Sequence, residues 1–189
     1  AGKPLIRHVL ETARQLTDQP PVVVIGHGGD QVQAVVGNDG TCVRQEQQLG
    51  TAHAVMTARS LLAGTADLVL VMNSDRPLLT ARTLQSLVRA QAENRGPISM
   101  LTLLSADSRG FGRVVRDGRG MVQAIIEEAH ATPEQLAIRE LNAGVYCFRA
   151  EWLWQALERI PLSPKGEYYL TDTVGLAAEE GLPIEVSIV

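Results

Sequence analysis

The run Leu68–Met72 constrains the fold of this chain more than any other feature of its sequence. It reads Leu-Val-Leu-Val-Met, follows Asp67, and is succeeded by the polar segment 73–77 and a helical pattern over about residues 81–94. A short, continuous apolar run between turn residues is typical of a strand that is buried on both faces of a sheet. Such a strand needs helices above and below it, so we expect a layered α/β fold.

Further apolar runs of this kind alternate with helical patterns along the chain. The clearest are Val22–Ile25, the dipeptide Cys42-Val43 and Ile98–Leu104. Alternation of short buried strands with helices builds a parallel sheet that is covered on both faces. We therefore predict a three-layer α/β/α sandwich with a Rossmann-like, mixed and mostly parallel sheet, formed by residues 1–189 as one domain.

The pattern changes from Gly110 onward. The segments 113–116 and 121–126 flank the turn sequence Asp117-Gly118-Arg119-Gly120, which predicts a β-hairpin beside the main sheet. A further strand is expected at 140–148. A last helix is expected at 171–180, ahead of a terminal strand.

Composition excludes several kinds of partner. The formal net charge is -4 and the Lys and Arg residues are scattered, so the chain lacks the basic stripe that nucleic acid or an anionic membrane surface requires. No apolar run approaches the ~20 residues that span a bilayer. Cys42 and Cys147 lie in apolar stretches and are expected to be reduced core residues, which fits a cytoplasmic protein.

Asp75 stands just after the predicted buried strand. Open α/β sheets bind their ligands at the carboxyl ends of the strands, where the loops diverge, so the position of Asp75 suggests a functional carboxylate. The alternative is a helix cap or a solvated turn residue, which the nearby Pro77 would suit. On its own, Asp75 does not decide between these interpretations.

The segment 45–54 runs from a strand into a helix and offers groups that suit a nucleobase. The Gln45 carboxamide has a donor and an acceptor, as the edge of uracil requires, and Gly50 lets the backbone approach a ligand without a Cβ atom. Thr51 adds a hydroxyl at the expected start of the helix. A plain helix cap with polar neighbours explains the segment equally well.

Three further polar positions follow the start of the hairpin. Gly112 lies in Gly110-Phe111-Gly112-Arg113, Glu127 follows fifteen positions later, and Asn142 fifteen after that. An acid, an amide and an exposed backbone suit a sugar ring, whose hydroxyls need fixed donors and acceptors. Conformational glycines, a solvated glutamate and a turn asparagine are the alternatives.

Thr171 closes the run Gly166-Glu167-Tyr168-Tyr169-Leu170-Thr171-Asp172, where Thr171 or Asp172 can also serve as a helix cap. The histidines show no metal-ligand spacing, the cysteines form no zinc pattern, and there is no nucleophile elbow with a Ser-His-Asp order.

Taken together, these motifs resemble the bifunctional N-acetylglucosamine-1-phosphate uridylyltransferase/glucosamine-1-phosphate acetyltransferases, within the sugar nucleotidyltransferase superfamily. The likeness covers nearly the whole chain. The motifs that carry it are, in order, Gln45, Gln48-Leu49-Gly50-Thr51-Ala52-His53-Ala54, Asp75-Arg76-Pro77-Leu78, Gly110-Phe111-Gly112-Arg113, Glu127, Glu140-Leu141-Asn142-Ala143-Gly144 and Gly166-Glu167-Tyr168-Tyr169-Leu170-Thr171-Asp172.

The resemblance implies a role for each site residue. Asp75 would be the catalytic residue and would hold Mg2+. The residues that would bind the nucleotide are Gln45, Gly50 and Thr51. The residues that would bind the sugar phosphate are Gly112, Glu127, Asn142 and Thr171.

The resemblance also implies a reaction and a setting. The substrates would be UTP and N-acetylglucosamine-1-phosphate and the product UDP-N-acetylglucosamine, a precursor of peptidoglycan and lipopolysaccharide. The parent protein would be a cytoplasmic homotrimer that binds neither nucleic acid nor membrane.

The chain departs from the family pattern in several places. A glycine-rich phosphate loop would precede Ala1, an asparagine that completes the metal site would follow Val189, and an acetyltransferase β-helix domain would lie beyond. The chain as given is therefore expected to have little or no activity alone. Asn73-Ser74-Asp75-Arg76 stands where the family usually has Gly-Asp. A transferase for another sugar phosphate, such as glucose-1-phosphate with UTP or dTTP, and a non-catalytic nucleotide-sugar binding module remain alternatives.

Overall fold

A computed structural model describes residues 2–189. The α-helices within these residues are α1 (Leu5–Ala13), α2 (Gly29–Val36), α3 (Thr51–Thr57), α4 (Arg59–Leu62), α5 (Ala81–Glu93), α6 (Pro133–Leu136), α7 (Ala150–Leu157) and α8 (Asp172–Glu179). The strands are β1 (Val22–Ile25), β2 (Thr41–Arg44), β3 (Leu68–Met72), β4 (Ile98–Leu104), β5 (Arg113–Arg116), β6 (Val122–Ile126), β7 (Glu140–Arg149) and β8 (Ile184–Ile188). Two short 3-10 helices are present at Gly37–Asp39 and Glu128–His130.

Six strands form one mixed sheet organised around β7. β7 pairs antiparallel with β3, β4 and β5, while β8 pairs parallel with β4 and β6 pairs antiparallel with β5. β3, β4, β5 and β8 therefore run in one direction, and β6 and β7 run in the other. β1 and β2 form a separate parallel pair. The prediction of a mixed α/β sheet is confirmed, but the six-stranded sheet is not mostly parallel: β4 with β8 is the parallel pairing among its described strands, because β7 runs against its three neighbours.

Helices cover both faces of the six-stranded sheet. Successive residues of a strand point to opposite faces, so neighbouring residues of β7 pack against different helices. On one face, Tyr146 and Phe148 of β7 pack in a cluster that includes residues of α3, α7 and α8. On the other face, Val145 and Cys147 pack with Leu84 of α5. Burying each of the larger apolar side chains contributes about 1.5–3 kcal/mol, and these two clusters hold the three predicted layers together.

The first helices after β1 and β2 have the following bounds and contacts. α2 begins at Gly29, after Gly28 with a φ of 66°, and Asp30 in its first turn forms an ion pair with Arg44 of β2. The helix expected from Thr51 to about residue 62 is divided at Ala58 into α3 and α4.

The predicted hairpin is confirmed. It forms as β5 and β6, and it joins the main sheet where Arg113 pairs with Leu141. Cys42 and Cys147 are free thiols; Cys147 is buried as expected, whereas Cys42 is only partly buried. Among residues 2–189, no helix has both the length and the apolar composition that crossing a bilayer demands.

Candidate active site

The candidate site lies at the edge of the sheet where β3 ends. β3 pairs with β7 up to its last residue, so the loop that follows β3 passes beside the first half of β7. The closeness is shown at Gly144, where an added Cβ atom would lie 3.0 Å from Nδ2 of Asn73. Because ligands of open α/β sheets bind at this edge, the fold brings Asp75 and Asn142 to one side of the molecule.

β7 contains a bulge at the same edge. Met100 of β4 pairs with Tyr146, whereas Thr102, two residues later, pairs with Asn142, four residues before Tyr146. Gly144, with a φ of 72°, accommodates the extra residues, and its N–H donates to Oδ1 of Asn142 over 3.0 Å. Bulges next to active sites redirect side chains, and this one turns the Asn142 carboxamide back along its own strand.

Gln45 follows β2 and uses its carboxamide nitrogen within its own loop. Nε2 donates to the carbonyl oxygen of Gly50 over 3.1 Å and lies 2.8 Å from Nδ1 of His53. If Nδ1 of His53 accepts, the proton of the neutral ring is on Nε2. These contacts leave Oε1 of Gln45 as the atom of the side chain that can accept a hydrogen bond from a ligand.

Gly50 is required by the close approach of another loop. Its φ of 97° and ψ of -178° lie in a region that is essentially restricted to glycine. An added Cβ atom would lie 2.5 Å from the carbonyl oxygen of Tyr168 and 2.8 Å from its nitrogen. The backbone that contacts Gly50 in this structure is therefore that of Tyr168, and the loop 45–50 packs directly on the loop 166–170.

Thr51 connects the same two loops through its side chain. Its Oγ1 accepts a hydrogen bond from the N–H of Leu170 over 2.9 Å, and the N–H of Ala52 donates to the carbonyl oxygen of Tyr168 over 2.9 Å. Thr51 is the first residue of α3 and its hydroxyl makes no capping bond, so the cap interpretation is wrong. The hydroxyl joins segments 119 positions apart in the chain.

Thr171 contacts Glu127, another of the predicted sugar-phosphate residues. It is 6% exposed, and its Oγ1 donates to Oε1 of Glu127 over 2.9 Å. It makes no side-chain cap on α8, so the cap interpretation is wrong here too. The structure therefore brings Glu127 and Thr171 together, and the solvated-glutamate alternative for Glu127 does not hold.

Asp172 adds a second carboxylate near Glu127. Burial raises the pKa of Asp172, the negative charge of Glu127 raises it further, and His130 acts in the opposite direction. The ring of His130 lies 6.0 Å from that of Tyr169. Two neighbouring carboxylates provide several hydrogen-bond acceptors, which suits the hydroxyl groups of a sugar.

Gly112 lies between Asn142 and Glu127. Its carbonyl oxygen accepts the N–H of Asn142 over 2.9 Å. A Cβ atom at Gly112 would lie 2.7 Å from Cγ2 of Ile125 and 3.6 Å from Oε2 of Glu127. The four predicted sugar-phosphate residues thus form two contacting pairs, Asn142 with Gly112 and Glu127 with Thr171, and Oε2 of Glu127 lies near Gly112.

The loop 110–112 is held by an ion pair between the buried Arg113 and the exposed Glu128, which sequence reasoning did not assign. Arg113 is 2% exposed; it donates to the carbonyl oxygen of Phe111, to Oγ of Ser108 over 3.0 Å and to Oε1 of Glu128 over 3.2 Å. The N–H of Gly110 also donates to Oε2 of Glu128 over 2.7 Å, and this bond, followed by that from Arg113, lowers the pKa of Glu128. The glycine loop is therefore fixed in place.

Arg76, which follows Asp75 after the end of β3, contacts the same loop. Nε of Arg76 lies 3.5 Å from Oδ1 of Asp75, and its guanidinium carbon lies 5.0 Å from the centre of the Phe111 ring. Cations over an aromatic face at this distance are attracted by the ring. Arg76 thus places its charge between the carboxylate of Asp75 and the glycine loop.

The residues present suit a Mg2+ ion held by a single protein carboxylate. Within residues 2–189 there is no group of three or more His, Cys, Asp or Glu side chains that could enclose a metal. The side chain of Asp75 is 63% exposed. Mg2+ keeps several waters and is often bound by one or two carboxylates together with substrate phosphates, so Asp75 fits as one ligand of such an ion.

Tyr146, which borders the bulge of β7, was not singled out from the sequence. It lies in an apolar stretch of β7 and looks like an ordinary core residue. The usable signal was Gly144, since a glycine inside a strand pattern often marks a bulge.

Comparison with known proteins shows the family of the chain. The model of a family described as nucleotidyl transferase matches residues 1–186. Curated proteins named bifunctional protein GlmU are similar to the chain. That of Ralstonia nicotianae is 46% identical over 187 residues, which is 97% of this chain and 40% of the relative. That of Brevibacillus brevis is 41% identical over 181 residues, which is 95% of this chain and 39% of the relative. The chain thus spans about two fifths of the length of these relatives.

A solved structure shares the fold. The CMP:2-keto-3-deoxy-manno-octonic acid synthetase complexed with CTP superposes with a TM-score of 0.69 over 100% of this chain and 80% of that chain. The two sequences are 18% identical. This likeness supports the layered α/β architecture derived above.

Proposed function

Because the chain belongs to the nucleotidyl transferase family, we propose that it carries the site at which UMP is transferred from UTP to N-acetylglucosamine-1-phosphate. The products would be UDP-N-acetylglucosamine and pyrophosphate. The motifs that resemble the uridylyltransferases support this assignment, as do the relatives named bifunctional protein GlmU.

One observation carries the proposal. Two consecutive residues, Leu170 and Thr171, contact Thr51 and Glu127, respectively. Thr51 belongs to the predicted nucleotide group and Glu127 to the predicted sugar-phosphate group. Transfer between two substrates requires that both be held side by side, and the contacts at Leu170 and Thr171 set the two groups next to each other.

In the proposed reaction, an oxygen of the sugar phosphate attacks the α-phosphorus of UTP. The bond from that phosphorus to the bridging oxygen of the β-phosphate breaks, and pyrophosphate leaves with the electron pair. A phosphate monoester has a second pKa of about 6, so the attacking oxygen is largely anionic at neutral pH and needs no general base. The protein's task is to position the substrates and to stabilise negative charge.

The chain's own residues would divide this task. Oε1 of Gln45 would accept the N3–H of uracil, since the carboxamide nitrogen is engaged by Gly50 and His53. Glu127 and Asn142 would orient the sugar through its hydroxyl and acetamide groups. Asp75 would hold Mg2+, which when bound supplies positive charge to the phosphate oxygens.

A panel of substrates tests the proposal. The full-length gene product that contains this chain is incubated with UTP or dTTP and with N-acetylglucosamine-1-phosphate or glucose-1-phosphate, and pyrophosphate release is measured. We expect the highest kcat/KM for UTP with N-acetylglucosamine-1-phosphate. A preference for glucose-1-phosphate would instead assign a different sugar phosphate to the same site.

Paired variants make the test specific to the site. Asp75→Ala, after the carboxyl end of β3, should lower kcat/KM by at least about a hundredfold if its carboxylate holds the metal. Asp67→Ala, which removes a carboxylate just before β3, should leave kcat/KM within about twofold, since that end of the strand lies away from the site. Equal losses in the two variants would contradict the assignment of Asp75.

A non-catalytic nucleotide-sugar binding module is a second candidate, and one observation favours it. The guanidinium of Arg76 lies beside Asp75, where it partly neutralises the carboxylate that a metal would need. Calorimetry with UDP-N-acetylglucosamine separates the two candidates. Binding by a folded full-length protein that releases no pyrophosphate would support the module.

A further inference from the structure

Tyr146 carries a buried hydroxyl that the fold does not use. The residue lies in β7 between β3 and β4, where it pairs with Val71 and with Met100, and it is 3% exposed. Among the described residues, its hydroxyl makes no hydrogen bond of normal distance and angle. Buried polar groups nearly always have a hydrogen-bond partner. Either this hydroxyl destabilises the fold without serving a function, or it gains its hydrogen bond when a ligand is bound.

Tyr146 lies in the same strand as Asn142, one of the predicted sugar-phosphate residues. The ring stacks with that of Phe148 at a centroid distance of 5.6 Å. Burial is the main cause of the raised pKa of Tyr146; the side chain of Asn142, four residues earlier in β7, counters part of this rise, and the charge of Glu127 adds to it. The bulge of β7 lies between Asn142 and Tyr146, where four residues of β7 span the length of two residues of β4.

The Asn142 carboxamide needs a fixed orientation to select a ligand. Its Oδ1 accepts one hydrogen bond, from the N–H of Gly144 over 3.0 Å, and has a second lone pair. A hydroxyl that donates to this lone pair would hold the oxygen toward β7 and direct both N–H bonds of Nδ2 away from it. The ligand would then have to offer an acceptor oxygen at this position.

We propose that Tyr146 is a positioning residue of the sugar-phosphate site. Its hydroxyl donates to Oδ1 of Asn142 when the sugar phosphate binds, and Nδ2 of Asn142 then donates to an oxygen of that ligand. The inference rests on the proposed function and adds a residue to it. A phenylalanine would fill the same volume and stack equally on Phe148, so packing alone gives no reason for the hydroxyl.

The test uses Tyr146→Phe in the full-length gene product. We expect KM for N-acetylglucosamine-1-phosphate to rise about tenfold, which corresponds to the loss of one hydrogen-bonded contact with the ligand. KM for UTP and kcat should change by less than about twofold, and the thermal midpoint should stay the same or rise, because the variant removes an unpaired buried hydroxyl. The control is Trp154→Phe in α7, which removes another buried polar atom without a partner among the described residues and should leave KM for the sugar phosphate unchanged.

A double-mutant cycle with Asn142→Ala tests whether Tyr146 changes sugar-phosphate affinity through Asn142. If Tyr146 acts through Asn142, then Tyr146→Phe should have no further effect on sugar-phosphate affinity, measured by calorimetry, once Asn142 is alanine. Additive losses, or an equal loss of affinity for UTP, would overturn the inference while leaving the proposed function intact. Absence of sugar-phosphate binding by the unmodified protein would instead overturn the proposed function, and this inference with it.

Discussion

The hydroxyl of Thr171 donates to the carboxylate of Glu127 over 2.9 Å, although the two residues are 44 positions apart in the chain. The bond joins the start of α8 to the residue after β6, and α8 packs on β6. Glu127 is thereby held with one oxygen occupied and the other near Gly112. Its orientation is decided before any ligand arrives, which is the condition for selective recognition.

Thr171→Val is therefore expected to weaken the binding of N-acetylglucosamine-1-phosphate about tenfold, since a hydrogen bond to a charged group is worth about 1.5–3 kcal/mol. Calorimetry measures the change. Thr173→Val is the matched control, because the hydroxyl of Thr173 donates to the carbonyl oxygen of Leu170 and does not contact Glu127. An equal loss of affinity in both variants would show that the helix start, rather than the Glu127 contact, is responsible.

Gly50→Ala is expected to destabilise the protein by about 2–4 kcal/mol, the sum of a strained backbone and a clash with Tyr168. Gly64→Ala isolates the backbone contribution, since Gly64 has a φ of 76° but nothing lies within 4 Å of its added Cβ atom. That variant should lose only about 1–2 kcal/mol. Urea unfolding of both variants gives the comparison, and equal losses would mean that Tyr168 yields to the added methyl group.

Arg76→Met is expected to strengthen Mg2+ binding several-fold, because it removes a positive charge 3.5 Å from Oδ1 of Asp75 while keeping an apolar side chain beside Phe111. Calorimetric titration with MgCl2 in the presence of UTP measures the effect. Arg82→Met removes the same charge from an exposed position of α5 and is the control for net charge. Unchanged or weaker binding in Arg76→Met would show that Arg76 does not compete with the metal.

Glu140→Gln is expected to make stability depend less on pH. Hydrogen bonds from Arg116, at 2.7 Å each, are the main cause of the lowered pKa of Glu140, and Thr102 contributes. A lowered pKa in the folded state contributes stability that is present above the unfolded pKa of about 4.3 and is lost as the pH falls through the folded value.

The variant should therefore be about 1–2 kcal/mol less stable at pH 7, with a difference that disappears toward about pH 2. Urea unfolding across this range measures it, with Glu185→Gln at an exposed position of β8 as the control. A difference that persists unchanged at low pH would mean that packing, and not charge, is lost.

Much of the scaffold could be predicted because its signals are local. The apolar run of β3 and the helical spacing of α5 appear within single windows of sequence, and the structure places both as expected. The bulge of β7 could not be predicted in the same way. It depends on the register between β4 and β7, which are about forty residues apart and are aligned by burial on both faces.

In the candidate site, too, the local signals could be predicted and the long-range contacts could not. The sequence identified Thr51 and Thr171 as polar residues at the starts of helices, but assigned each a possible capping role on local grounds. Each hydroxyl instead bonds to a distant segment, Thr51 to Leu170 and Thr171 to Glu127. A hydroxyl at a helix start can satisfy its own helix or a neighbouring loop, and packing of the loop 166–170 on Gly50 decides which.

By itself, the sequence determined the order of strands and helices, the family resemblance and the candidate site residues, among them Asp75 after the carboxyl end of β3. The tertiary structure decided which of these residues touch. It brought Tyr168 against Gly50, Glu127 against Thr171 and Arg76 over Phe111. The physical reason is that periodicity reports the burial of each segment on its own, whereas contacts between loops depend on how the segments pair within the sheet.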